Sequence, residues 1–228
     1  MTLEPCNHVG RTPACRQALL DAGIVRVVIA VLDPTSREGG GAAALRAAGV
    51  DVELNVLADE ARLVLAPWLT ALRTHRPVVT WNYRVGAEGL TAALGRIADA
   101  EALRVQADAV LDEDGKLEEG IVGSHGSGVL QLPSPPLPDQ VELALRQLYQ
   151  GGVRTLLLSG GPEVAERFLA AGLVEQLVVY METTSPAARP ASEASGTERL
   201  LPSGFRMQSV TRLGQEVRVT AKPTDTQT

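Results

Sequence analysis

The stretch VRTLLLSGGPEVAERFLAAGLVEQLVVYM, residues 153–181, changes its hydrophobic pattern twice in succession. Residues 155–158 form a short apolar run, the length of a strand buried on both faces. Gly160-Gly161 marks a turn, and Pro162 follows where a helix can begin without needing a backbone N–H. The helix is predicted over 162–171, with Gly172 beyond its end, and residues 176–181 form the next strand. A strand, a helix and a second strand in this order imply a right-handed crossover and parallel pairing.

Working outward, the same alternation recurs. Residues 25–31 are a β-branched run, 42–48 a short helix closed by Gly49, and 50–54 alternate as a strand nearer a sheet edge. Asp59 and Glu60 suit the first turn of a helix running towards Arg73, which Pro67 is expected to kink or end. A boundary is expected at 74–77, followed by a strand at 78–81, a helix at 94–106 and a strand at 109–111. Residues 112–128 show no clear period and read as loop; LPSPPLPD, at 132–139, reads as an extended segment or linker. A helix is predicted at 141–149, a polar mobile stretch at 183–198, a β-hairpin on both sides of Gly214 and disorder in the last five residues.

Composition narrows the function. The length allows one large or two small domains. A net charge of −6 without a basic tract argues against a nucleic-acid partner. The longest apolar runs, such as 27–32, fall well short of a membrane span, and the first twenty residues carry scattered charges and proline rather than a signal peptide. A soluble, cytoplasmic protein is the expectation.

Two features carry chemistry. Cys6 and Cys15 are the only cysteines in the chain. Thr12 and Pro13 read as an N-cap and first helical position, which would put the Cys15 sulfur near the positive end of a helix and favour its thiolate. Catalytic zinc needs three protein ligands, of which the pair supplies two; two reduced thiols are the plain alternative, and a secreted disulfide scaffold fits less well. The second feature is Ser159-Gly160-Gly161, between a strand and a helix N-terminus. It is either a phosphate-approaching turn or a tight turn that needs glycine on steric grounds.

Wider motifs carry a resemblance. TLEPCNHVGRTPAC with ALLDAGIVRVVIAVLDP, within residues 2–34, resembles the zinc-binding segment of the bifunctional deaminase–reductases of riboflavin biosynthesis. RPVVTWNYRVGAEGLTAA, ADAVL, the 153–181 stretch and RLGQEVRVTAKP resemble the reductase half of the same family. The resemblance implies an α/β chain: a remnant cytidine-deaminase-like domain over 1–74, then a dihydrofolate-reductase-like, mainly parallel sheet with a C-terminal hairpin over 76–223, and a disordered tail at 224–228. It implies zinc on Cys6 and Cys15, NADPH against Ser159, Gly160 and Gly161, and a pyrimidine ribosyl phosphate as substrate.

The departures from the family are specific. In zinc deaminases an H-x-E segment precedes P-C…C. Here Met1 stands directly before Thr2, so the deaminase half is expected to be truncated or to start upstream, and to be inactive as written. His8 reads as a neighbour of the site and Glu4 as a strand-end carboxylate rather than a proton shuttle. Asn82 stands in place of the family's substrate lysine, Glu88 in place of an aspartate and Ser159 in place of a glutamate. Asp112, Glu113, Asp114, Glu118 and Glu119 lie where polyanionic ligands are expected, read as a solvated acidic loop that opposes them. His75 and His125 read as surface residues. Two functions follow: an NADPH-dependent reductase of the ribosyl group, or an inactive paralogue serving as oligomer partner or ligand-binding regulator. An unpaired sheet edge in the first domain predicts a homo- or hetero-oligomer.

Overall fold

The computed structural model describes residues 1–8, 14–36, 39–86, 89–91, 94, 97–121, 130–133, 137, 139–182 and 201–224. In chain order its elements are α1 (Cys15–Asp21), β1 (Arg26–Ile29), α2 (Gly40–Ala47), β2 (Asp51–Leu54), α3 (Ala58–Thr74), β3 (Val78–Gly86), β4 (Gly89–Thr91), α4 (Ala98–Gln106), β5 (Ala109–Leu111), β6 (Leu117–Glu119), α5 (Val141–Gln150), β7 (Thr155–Ser159), α6 (Pro162–Ala170), β8 (Gln176–Glu182), β9 (Phe205–Leu213) and β10 (Glu216–Pro223). They fall into two compact units, Met1–Leu69 and Thr70–Thr228.

In the first unit β1 and β2 pair in parallel, Val27 opposite Val52. Val27 and Ile29 meet Ala42 and Leu45 of α2, with Leu19 and Leu20 of α1 packed alongside. The opening segment joins this sheet through a parallel bridge between Leu3 and Val31. It delivers Glu4 into the interior at 6% exposure. The Glu4 carboxylate accepts hydrogen bonds from the Asp33 N–H (3.0 Å), the Ser36 hydroxyl (3.1 Å) and the Ala42 N–H (2.9 Å). Its position at the start of α2 also suits the helix dipole. Glycine makes the approach possible: a Cβ on Gly40 would lie 2.3 Å from Glu4 Oε1, and one on Gly41 would lie 1.9 Å from the Pro5 carbonyl oxygen.

α3 continues through Pro67, where a kink or stop was expected. Pro67 is solvent-exposed, so the carbonyl that loses its N–H partner on the preceding turn can be hydrated.

The second unit is built on one eight-stranded sheet, ordered β6-β5-β7-β3-β8-β10-β9, with β4 paired to β3. β5, β7, β3 and β8 are mutually parallel; β6, β10, β9 and β4 add antiparallel pairs around them. Alternate residues serve two layers. Val79, Trp81, Tyr83 and Val85 of β3 enter the main core, with Leu145 and Leu148 of α5 and Phe168 of α6. The intervening positions face α4: Val178 and Tyr180 of β8 pack with Ala100, and Leu157 of β7 packs with Ala107 and Leu103. Burial on both faces explains the apolar runs of β7 and β8, whereas β3 alternates, with Thr80, Asn82 and Arg84 between its core residues.

Several boundaries move. α4 begins at Ala98, four residues later than the pattern suggested, and β3 runs on to Gly86. Residues expected as loop after β5 instead return as β6, antiparallel to β5. Asp112 Oδ1 closes that hairpin by accepting the N–H groups of Asp114 and Lys116, and Gly115 supplies the positive φ of the turn. Leu137, within the supposed linker, is 6% exposed and belongs to the main core, because its side chain has apolar neighbours available. Thr224 is tied to the Gly204 carbonyl by its N–H and its hydroxyl, so the expected disordered tail is anchored at its first residue. The polar stretch at 183–198 lies outside the described residues. Among the described residues no helix is long and apolar enough to cross a membrane.

Replacing Gly41 with alanine should destabilise the protein by roughly 1–3 kcal/mol, despite alanine's better helix propensity, because its Cβ overlaps the Pro5 carbonyl. Denaturant unfolding followed by circular dichroism measures this; an unchanged or raised midpoint contradicts it.

Candidate functional site

Open α/β sheets gather ligands at the carboxyl ends of their parallel strands. Here β7 ends at Ser159, which registers with Asn82 of β3, and Asn82 registers with Val178 of β8 on its other side. The pleat turns Asn82 and Ser159 to the α4 face. Asn82 is fully buried, and neither atom of its carboxamide has a hydrogen-bond partner among the described residues. An unmet polar group of this kind costs about 1–3 kcal/mol. Ser159 lines a cavity of about 470 Å³ beneath α4, with Leu94, Ile97, Ala100, Glu101 and Arg104.

The turn after β7 is held from three sides. The Gly160 N–H donates to the Asn82 carbonyl (3.3 Å), and the Trp81 indole N–H donates to the Gly160 carbonyl (2.9 Å). Gly160 has φ +145°, and a Cβ there would lie 3.0 Å from Cβ of Glu113 and 3.3 Å from its Cα. The positive φ favours glycine here, and the close passage of the acidic hairpin leaves a Cβ little room. Gly161 occupies the N-cap of α6 and Pro162 its first position, and among the described residues no side chain caps the helix. That uncapped end, the orphaned Asn82 and the cavity fit a polar, anion-bearing ligand such as a nicotinamide dinucleotide. The acidic Glu113 beside Gly160 opposes one.

Farther along the same face the charges are paired. Asp99 of α4 accepts from the Tyr180 hydroxyl (2.7 Å) and from Arg218 (2.8 Å), and Arg84 pairs with Glu216 at 2.7 Å. Burial, reinforced by the hydrogen bond to Asp99, pushes the Tyr180 phenol well above its ordinary range. Arg104 pairs with Glu118 at 2.8 Å. Sequence reasoning missed this network; Asp99 and Arg218 are 119 residues apart, and only strand register brings Tyr180 opposite Arg84 and Arg218.

In the first unit the two sulfurs of Cys6 and Cys15 converge to 3.1 Å. The polarity differs from expectation. Cys15 is itself the first residue of α1, and its backbone N–H points at the Cys6 sulfur (3.1 Å). That hydrogen bond, with a further one from the Cys15 side chain, lowers the Cys6 thiol, whereas the contact with Cys6 raises Cys15. Cys6, not Cys15, is the thiolate-favouring sulfur. Zinc does not fit the described residues: no group of three or more His, Cys, Asp or Glu side chains converges among them. Glu4 is committed to its three donors, and His8 is exposed. Among the described residues the donor set stops at two sulfurs, one short of a catalytic zinc site. Thr12, Pro13, Glu88 and His125 lie outside the described residues. His75 lies edge-on to the Tyr149 ring at 5.7 Å.

A family model described as the RibD C-terminal domain matches residues 129–185. The riboflavin biosynthesis protein RibD of Mycobacterium tuberculosis is 32% identical over 218 aligned residues, covering 79% of this chain and 64% of that protein. The Escherichia coli protein of the same name is 25% identical over 291, covering 95% and 79%. The chain thus spans just under two thirds of the mycobacterial relative. Among solved structures, a diaminohydroxyphosphoribosylaminopyrimidine deaminase/5-amino-6-(5-phosphoribosylamino)uracil reductase from Thermotoga maritima superposes with a TM-score of 0.66 at 22% identity, covering 97% of this chain and 78% of that one. Acinetobacter baumannii RibD superposes with a TM-score of 0.63 at 22% identity, covering 98% and 80%. These likenesses place the chain in a shared fold.

Two outcomes are expected. Asn82→Leu, close in volume and free of polar atoms, should raise stability by about 1–3 kcal/mol in thermal or denaturant unfolding; a loss of stability would show that the carboxamide is satisfied. Iodoacetamide at neutral pH should alkylate Cys6 ahead of Cys15, because the lowered thiol is ionised to a greater extent there. Peptide mapping of partially labelled protein reads the order, and faster labelling of Cys15 reverses the assignment.

Proposed function

We propose, for a chain that belongs to the RibD-type family of riboflavin-biosynthesis proteins, that its second unit binds a pyrimidine ribosyl phosphate and reduces the ribosyl group with NADPH. The observation that carries this reading is the buried Asn82, without a partner among the described residues, beside Ser159 at the carboxyl end of the parallel core. A carboxamide with a free donor and a free acceptor suits the polar edge of a heterocycle or a nicotinamide. Ser159 adds a hydroxyl at the cavity wall, and the α6 N-terminus at Gly161 is the anion-facing end. When bound, NADPH supplies the hydride; the protein's part is to hold and align the reactants and to exclude water. The setting for this chemistry is the cytoplasm.

A second reading has its own support. Glu113 against Gly160, and an asparagine where the resemblance implies lysine, both weaken the site for polyanions. On that reading the chain is an inactive paralogue, acting as a ligand-binding regulator or as partner in a homo- or hetero-oligomer.

Titration with NADPH separates the two. The reductase reading expects binding in the micromolar range, about −8 kcal/mol, and NADPH oxidation on adding the ribosylaminopyrimidinone phosphate. Glu113→Ala should tighten NADPH binding several-fold by removing the carboxylate beside the turn. No binding at millimolar NADPH, in the wild type and in Glu113→Ala alike, leaves the non-catalytic reading.

A further inference from the structure

We infer that Asn82 and Ser159 read the flat amide edge of a neutral pyrimidine ring, so that the second unit recognises its ligand at the level of the nucleoside and draws no affinity from a phosphate. This rests on the proposed pyrimidine site, not on hydride transfer, and names the part of the ligand that is read. Asn82 is fully buried, and neither Nδ2 nor Oδ1 has a hydrogen-bond partner among the described residues. Its neighbours in the sheet meet the cavity wall on either side. Ser159, opposite it on β7, lines the cavity; Val178, opposite it on β8, packs against Ala100, which lines it too. A buried carboxamide needs an acceptor for its N–H groups and a donor for its oxygen. A phosphate dianion offers acceptors alone and an ammonium donors alone. Either would leave one Asn82 atom unmet and bring a charge out of water. A ring with an N–H and a C=O on adjacent atoms meets both, and the Ser159 hydroxyl is able to donate or accept beside it.

The surrounding charges favour the same ligand. Among the described residues of the cavity wall Arg104 is the only cation, and it pairs with Glu118 at 2.8 Å. Glu101 adds a carboxylate to the wall, and Glu113 passes against Gly160, the residue after Ser159. Repulsion therefore falls on a ligand that brings a phosphate to this end of the sheet, and a nucleoside escapes it. A nicotinamide carries a similar amide edge but arrives with a pyrophosphate, so Asn82 is assigned to the pyrimidine.

Uridine is the probe, titrated by calorimetry into the full chain without cofactor. Uridine should bind, and its 5′-monophosphate should bind no more tightly. The N3-methyl form, whose ring N–H is blocked, should bind roughly a hundredfold more weakly, and free nicotinamide roughly tenfold more weakly. Asn82→Leu should lose uridine binding while its unfolding midpoint rises, a combination that a purely structural asparagine does not give. The inference is overturned if uridine does not bind at millimolar concentration, if the monophosphate binds several-fold more tightly, if the N3-methyl form or nicotinamide binds as well as uridine, or if Asn82→Leu keeps uridine binding. Uridine binding beside a failed NADPH titration removes the reductase reading and supports this one; NADPH oxidation without uridine binding does the reverse.

Discussion

Strand β3 must be buried on both faces, and the arrangement of the second unit follows from that constraint. Its parallel pairing with β7 and β8 places it at the centre of the sheet. One set of alternate residues then belongs to the layer of α5 and α6, and the other to the layer of α4. Asn82 follows Trp81 directly, so the pleat commits it to the α4 side, where no group of the described residues bonds its carboxamide. The same register draws Ser159 alongside it and ends β7 there, next to the cavity. The candidate site is therefore a consequence of pleat and pairing more than of any local motif.

The acidic hairpin between β5 and β6 acts on that site through backbone contact. Its turn is closed by Asp112 and Gly115, and residues 113–116 are exposed to solvent, as expected, while the chain returns as β6. Glu113 passes against Gly160 with its backbone and Cβ, and together with the positive φ this accounts for the glycine. Elsewhere on the α4 face, acidic and basic groups neutralise one another in partly buried pairs, where such contacts mean more than on open surface. In the first unit an acidic group is handled differently: Glu4 is matched to the start of α2 by glycines that let it in.

Much of this was legible in residue order. The strands, the helices and the terminal hairpin follow from apolar period and from glycine and proline punctuation; Pro162 opens α6, and Gly172 and Gly214 take the positive φ of the turns beside them. β6 was missed because three residues of mixed polarity carry no readable period. Pro67 does not end α3, because the cost of a missing N–H depends on whether the orphaned carbonyl faces water, which a pattern does not record. The cysteine pair was legible as a pair, but which sulfur gains the helix-end N–H was not, since that turns on where α1 begins relative to Cys15.

Residue order by itself determined the α/β alternation, the parallel core and the residues able to do chemistry, because hydrophobic period and turn chemistry act over a few neighbouring residues. Only the tertiary structure decided that Asn82 has no partner among the described residues, that Glu113 lies on Gly160, and that the sulfurs of Cys6 and Cys15 meet. Those outcomes depend on strand register and on contacts between segments far apart in the chain, which no local pattern encodes.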